Sequence, residues 1–234
     1  MNHDIFDGLL AKRTTLSTRG IVAVDYAGWA ASPGDRAGLT AYISSMNATN
    51  VANLTRAEQF AFWANLYNAA TIDIILDNWP VKTIRDIKPN PLALGPWKKP
   101  VVTVGGTKLS LDDIEHGILR KGWKDPRVHY AVNCASISCP NLPRKALRGA
   151  SLESSLEAAA RAYVNHPRGA RFSGTALTVS SIYKWYKQDF GNNDTGIIAH
   201  LKKYADAPLR AKLEGVTRIS ADAYDWGINA TGKA

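Results

Sequence analysis

The residues Thr55-Arg56-Ala57-Glu58-Gln59-Phe60-Ala61-Phe62-Trp63-Ala64-Asn65-Leu66-Tyr67-Asn68-Ala69-Ala70-Thr71-Ile72-Asp73-Ile74-Ile75-Leu76-Asp77-Asn78 decide how the chain folds. Thr55 and Glu58 have the spacing of a capping box, in which each side chain satisfies an orphan backbone donor at a helix start. Pro80 stops the helix two residues past Asn78. Between these signals the segment is apolar on most sides, which predicts a buried central helix rather than a surface one. Asn65 and Asn68 are three apart and share a helix face. Buried amides need partners, so the pair either holds loop backbone in place or lines a site.

Upstream of this helix, Asp4 to Thr14 carries Ile5, Leu9 and Leu10 at amphipathic spacing. Ile21 to Tyr26 reads as extended, and Asp35 to Met46 as a helix after the Pro33-Gly34 turn. Downstream, Lys88 to Pro100 is a Pro/Gly-rich loop. Val101–Val104 and Lys108–Leu109 flank Gly105-Gly106, the pattern of a tight hairpin. Ser110 caps a helix to about Arg120, with Asp112 and Asp113 complementing its dipole. Ser151 to Asn165 is amphipathic. A second hairpin, Ala170–Phe172 and Leu177–Val179, turns at Gly174. Ser180 caps Ile182 to Phe190, Ile197 to Tyr204 is a helix, and Thr217 to Asn229 reads as a closing strand. Hairpins argue against a doubly wound parallel sheet. The expected fold is α+β, one domain over residues 1–234, with the central helix packed on a small, mostly antiparallel sheet.

Composition narrows the setting. Hydrophobic residues make up 45% of the 234 and charged residues 21%, an ordinary globular balance. No apolar run approaches the roughly 18 residues of a membrane span, so no transmembrane segment is expected. The net charge of +9 suits polyanionic surroundings such as an acidic cell envelope. The basic residues are scattered and no nucleic-acid motif accompanies them. Met1-Asn2-His3-Asp4 does not open a signal peptide. That fits a cytoplasmic protein, and equally a periplasmic or secreted one whose export leader has been removed.

Chemistry concentrates in Asp125-Pro126-Arg127-Val128-His129-Tyr130-Ala131-Val132-Asn133-Cys134-Ala135-Ser136-Ile137-Ser138-Cys139-Pro140, which holds both cysteines of the chain. A cysteine nucleophile works as thiolate and needs a nearby base or positive field. A histidine base must be oriented by a third polar group. On a strand or a helix, His129 and Asn133 share a face and Cys134 does not. Cys139 follows a small-residue stretch that can curl back, which makes it the preferred nucleophile, with Cys134 a packing or resolving thiol. The pair could instead be a disulfide or inert. His116, His129, Cys134 and Cys139 match no standard zinc spacing, so no metal and no cofactor is expected. Glu115-His116, on the helix after the first hairpin, and Asp225, between Tyr224 and Trp226, are further candidates. Asp225 or Asn133 would orient His129. Arg127 and Trp185 join Asn65, Asn68, Glu115 and His116 as candidate substrate contacts.

These stretches carry a resemblance. Phe62-Trp63-Ala64-Asn65-Leu66-Tyr67-Asn68-Ala69 resembles the central helix motif of the family called domain of unknown function 547. Val24 to Tyr26, Val81 to Ile87, Leu109 to Arg120, Asp125 to Pro140, Ile182 to Phe190 and Tyr224 to Asn229 resemble it in the same order. His129, Cys134, Cys139, Glu115, His116, Asn65, Asn68 and Asp225 fall on family motif positions. The resemblance implies an export signal in many bacterial members and, in plant members, attachment to a leucine-zipper region. It names no reaction.

The leading expectation is a thiol-dependent hydrolase or acyl transferase acting on an amide or thioester of a small molecule or peptide. It would be broadly papain-like or transglutaminase-like, with Asn65 or a backbone N–H at the oxyanion. In most such enzymes the cysteine precedes the histidine, whereas here His129 comes first. The alternative is a binding module for a peptide, glycan or anionic ligand, with Cys134–Cys139 a structural or redox-active pair.

Overall fold

The computed structural model describes residues 2–234. Helix α1 (Asp4–Arg13) leads into the two-stranded pair β1 (Thr14–Leu16) and β2 (Val22–Val24). The short α2 (Tyr26–Ala30) and α3 (Pro33–Asn47) follow, then the central α4 (Arg56–Asp77). The capping box at Thr55 is present. The Thr55 N–H donates to Glu58 Oε2 at 2.9 Å, and the Glu58 N–H to Thr55 Oγ1 at 3.4 Å. From Phe60 to Leu76 all but Asp73 and Ile74 are buried, as an all-round apolar helix requires.

Strands β3 (Pro100–Val104) and β4 (Thr107–Ser110) form the first hairpin. Gly105 and Gly106 both adopt positive φ (56° and 79°), the two-residue turn that the Gly-Gly pair predicts. The helix after it departs from expectation: Asp113–Arg120 is wound as a π-helix and runs into α5 (Lys121–Trp123). Such windings are rare and cluster at functional sites. The segment predicted as strand or helix from Val128 to Cys134 is a single turn, α6 (Val128–Ala131), followed by an irregular loop.

Helix α7 (Leu152–Val164) precedes β5 (Ala170–Ser173), β6 (Ala176–Ser180) and α8 (Ser181–Trp185). A 3-10 turn, Lys187–Phe190, then leads to α9 (Asp194–Tyr204) and α10 (Ala207–Leu213), of which α10 has no counterpart in the sequence reading.

The fold is α+β, with one correction. Instead of one sheet against the central helix there are three small ones: β1–β2, β3–β4, and β5–β6 joined by β7 (Ala221–Ala223). β7 pairs parallel to β6. The predicted closing strand Thr217–Asn229 is therefore only three residues of sheet. The rest of the tail acts as a stitch. Ile137 N–H donates to Gly227 O, Asn229 N–H to Ala135 O, and Val24 N–H to Asn229 O. The tail thus ties the cysteine loop to β2.

Two apolar clusters form the interior. The larger surrounds α4 and takes in α1, α3 and the first hairpin. The smaller gathers α7, β5, β6, α8 and α9. The segment from Val128 joins both: Val128, Ala131, Val132 and Ala135 pack in the first, Tyr130 in the second. The sequence's reactive groups are thereby fixed at the seam.

Candidate active site

At that seam lies a cleft of about 970 Å³ whose lining includes Cys134, Cys139, His129, Glu115, His116 and Trp185. Six of the eleven residues singled out from the sequence thus share one concavity, of the size that small ligands occupy.

The cysteine loop is shaped by amides. Asn68, on α4, donates to Ala131 O and accepts from the Asn133 N–H, at 2.9 and 2.8 Å. Asn133 donates to Pro140 O at 2.7 Å and accepts from the Ala135 N–H at 2.8 Å, closing the loop on itself. Ala135 sits at φ 61°, a left-handed conformation that costs a non-glycine residue roughly 1–2 kcal/mol. That strained reversal folds Cys139 back onto Cys134. The two thiols are unbonded, with sulfurs 2.8 Å apart, and the Cys134 N–H donates to Cys139 Sγ at 3.0 Å. The Tyr224 hydroxyl and Ser136 Oγ lie 3.2 and 3.3 Å from Cys134 Sγ and 2.7 Å from each other.

This arrangement separates the two thiols electronically. Burial works against a Cys139 thiolate. The Cys134 thiol and the Cys134 N–H bond Cys139 Sγ directly, and with the Tyr224 and Ser136 hydroxyls held close by on Cys134 Sγ they outweigh burial and bring the pKa down to about 7. Cys134 moves the other way: its hydrogen bond to Cys139 and its burial both keep the proton on. Tyr224 is itself raised well above its ordinary value, first by burial, so its hydroxyl remains a donor.

His129 is buried and donates its bond to a group that the sequence reading missed. Its Nε2 lies 2.7 Å from Asp189 Oδ2, while its Nδ1 is 3.9 Å from Glu115 Oε1. The ring stacks on Tyr186 with centroids 4.3 Å apart. Asp189 Oδ2 also receives Arg120 Nε at 2.6 Å. Burial opposes the Asp189 charge, but the bonds from His129 and Arg120 win and hold its pKa down at about 2. With Nε2–H committed to Asp189, Nδ1 is the ring nitrogen left to exchange a proton with a substrate.

The other candidates fall elsewhere. Asp225 is exposed and caps its own turn by accepting from the Gly227 N–H, so it does not orient His129. Asn133 braces the loop and does not bond His129. Asn65 clamps both backbone groups of Leu147, at 2.9 Å each, and is no oxyanion donor. Arg127 is paired with Asp125 and Glu153, outside the cleft lining. His116 bonds Arg120 at 3.2 Å. Among the described residues no group of three or more His, Cys, Asp or Glu side chains is gathered to hold a metal.

The family model described as "Protein of unknown function, DUF547" matches residues 51–164. That segment, just under half of the chain, is similar to the DUF547 family. No curated protein and no solved structure matches the chain. The DUF547 segment holds His129, both cysteines, Glu115, His116 and Asn68. Tyr186, Trp185, Tyr224 and Trp226 complete the cleft from beyond it, and Asp189 braces His129 from behind. Asp189 lies in the stretch Ile182 to Phe190, which resembles the family in sequence. Nothing local there marks its role, because its partner is 60 residues away.

Proposed function

We propose that the chain is a thiol-dependent hydrolase or acyl transferase acting on an amide or thioester. The observation that carries this reading is one cleft holding a cysteine whose sulfur receives the Cys134 N–H and lies against a second thiol, together with a histidine oriented by a carboxylate. A redox dithiol has no need of the histidine; acyl transfer needs both.

Cys139 Sγ attacks the carbonyl carbon, forming the C–S bond and an oxyanion. The Tyr224 hydroxyl, held beside the two sulfurs, would donate to that oxyanion. Protonated His129 passes its Nδ1 proton to the leaving nitrogen or sulfur, and the bond to it breaks. His129 then takes a proton from water, which attacks the thioester and releases the acid and the Cys139 thiolate. Because the thiolate is stabilised by hydrogen bonds, His129 need not touch the sulfur. This separates the proposed mechanism from a direct Cys–His pair and makes the reversed order of His129 and Cys139 harmless. The kinship with papain-like and transglutaminase-like enzymes is proposed for the chemistry. If the chain is exported, a periplasmic or secreted substrate follows.

The test is acylation followed by intact mass and peptide mapping. Wild-type protein mixed with an activated acyl thioester should carry one acyl group on Cys139 that is lost with time. In His129→Ala the adduct should persist. Acylation at an equal rate in Cys139→Ser would reject the nucleophile, and equal adduct lifetimes with and without His129 would reject the proton carrier.

The 2.8 Å separation of the sulfurs favours a second reading, in which the pair cycles as a dithiol. Cys139 thiolate would attack a substrate disulfide, and Cys134 would then displace it, leaving the substrate reduced and the pair bridged. Titration with a glutathione redox buffer separates the two: a pair that bridges at mild poise and reduces a disulfide substrate supports this second reading.

A further inference from the structure

The mouth of the cleft carries a feature that thiol chemistry does not require. Among the described residues, five large hydrophobic side chains are exposed, and three of them, Leu92, Leu94 and Trp185, line this one cleft. Leu92 is 93% exposed and Leu94 73%, close to what an unfolded chain would show. Both sit in the loop between Lys88 and Pro100, where Leu92-Ala93-Leu94 forms the apolar tip.

The charge around the tip is one-sided. Lys82, Arg85, Lys88, Lys98 and Lys99 fall within the same stretch, against the single acid Asp86. All five cations are exposed, and among the described residues none is ion-paired with a carboxylate. Arg85 lies over the Trp226 ring, 5.2 Å from its centroid, on the cleft wall. Two further acids line the cleft: Asp112, which accompanies His116, and Glu115, which is buried.

We propose that this rim is a membrane-docking surface that seats the cleft on an anionic bilayer, with Leu92 and Leu94 entering the acyl boundary and the lysines on the headgroups. Exposed leucines are unfavourable in water and gain on leaving it, while lysines beside them stay with the headgroup phosphates. A protein partner would meet the leucines equally well, but nothing about it would call for five unpaired cations around them. The inference does not depend on the reaction at Cys139.

The experiment is co-sedimentation of the full chain with vesicles of pure phosphatidylcholine and of phosphatidylcholine mixed equally with phosphatidylglycerol. Wild type should pellet with the anionic vesicles and remain in solution with the neutral ones. Leu92→Asp/Leu94→Asp should lower the partition coefficient by at least roughly a hundred-fold, at about ten-fold per lost leucine. Lys88→Glu/Lys98→Glu/Lys99→Glu should lower it by a similar factor, at roughly five-fold or more per lysine. These positions are exposed, so thermal unfolding should be unchanged and a loss of binding is read directly. Cys139→Ser should bind as wild type does, which keeps this result apart from any failure of the catalytic reading. Wild type left in solution with anionic vesicles, or either rim variant pelleting as wild type does, would overturn the proposal.

Discussion

Residues 133–140 and residues 88–99 both line the cleft, yet they are held in opposite ways. In the first loop, bonds that close it on itself are joined by many bonds to the body. Asn133 N–H goes to Asn68, Ile137 N–H to Gly227 and Ser138 N–H to Asp225, while Arg168 takes the Ile137 and Cys139 carbonyls. In the second loop most bonds stay inside it: Leu92 and Ala93 turn on Asn90, and Lys99 on Pro96. Trp97 O, accepting from Asp112 N–H, is an anchor to the body. A sulfur that must be a thiolate at a fixed place needs donors fixed before the substrate arrives. A surface that captures something only has to offer groups whose partner comes with the ligand. One wall of the cleft is therefore preorganised and the other is left unsatisfied.

The comparison breaks first at α4, where two asparagines do the same work for different loops. Asn68→Ala leaves Ala131 O and Asn133 N–H buried without partners and should cost roughly 2–4 kcal/mol in urea denaturation. Asn65→Ala does the same to Leu147 and should cost a similar amount. Only Asn68 holds the cysteine loop. The pH midpoint for iodoacetamide alkylation of Cys139 should rise from about 7 in Asn68→Ala and stay in place in Asn65→Ala. Identical midpoints in the two variants would mean that the loop's shape does not set the sulfur's reactivity.

A smaller effect is expected behind the loop. Arg168 Nη1 grips Ile137 O and Cys139 O at 2.8 and 2.7 Å, and Nη2 grips Asn141 Oδ1 at 2.9 Å. Among the described residues this half-buried guanidinium has no carboxylate partner. Burial lowers its own pKa, opposed first by Tyr163 and then by Cys139. Arg168 is thus a positioning residue that acts on Cys139 through the loop's carbonyls. Arg168→Met should slow alkylation of Cys139 at neutral pH by roughly three- to ten-fold, and Arg168→Lys should restore part of the rate. A Met variant as reactive as wild type would leave the Cys134 thiol and N–H at the sulfur as sufficient.

The sequence reached the parts of this picture that are local. The capping box, the Gly105-Gly106 turn and the apolar face of α4 are each decided within a few residues, and each formed as read. The chemistry of Asp125 to Pro140 was visible because both cysteines and His129 crowd into one stretch. What stayed hidden depends on distant pairing. Asp189 reaches His129 across 60 residues, and Tyr224 reaches Cys134 across 90. The same limit explains Asp225: it sits beside Tyr224 in sequence, but the turn at Gly227 directs its carboxylate to its own backbone. The π-helical winding at Glu115 has no composition signal at all.

The smallest expected effect concerns the carboxylate on which His129 depends. Asp189 has its pKa lowered from 3.8 to about 2 in the folded protein. A group whose folded pKa is depressed adds stability that is complete above its unfolded value and is lost as pH falls through the folded one. The Asp189 contribution should therefore be whole at pH 5, shrink from about pH 4, and be gone below about pH 2. Urea midpoints measured down that range should fall less steeply for Asp189→Asn than for wild type, with the curves parallel above pH 5. Parallel curves throughout would show that the Asp189–His129 bond adds nothing net to folding. Either way the carboxylate stays ionised at every pH where Cys139 titrates, so Asp189→Asn should lower the acylation rate without moving the thiol's midpoint.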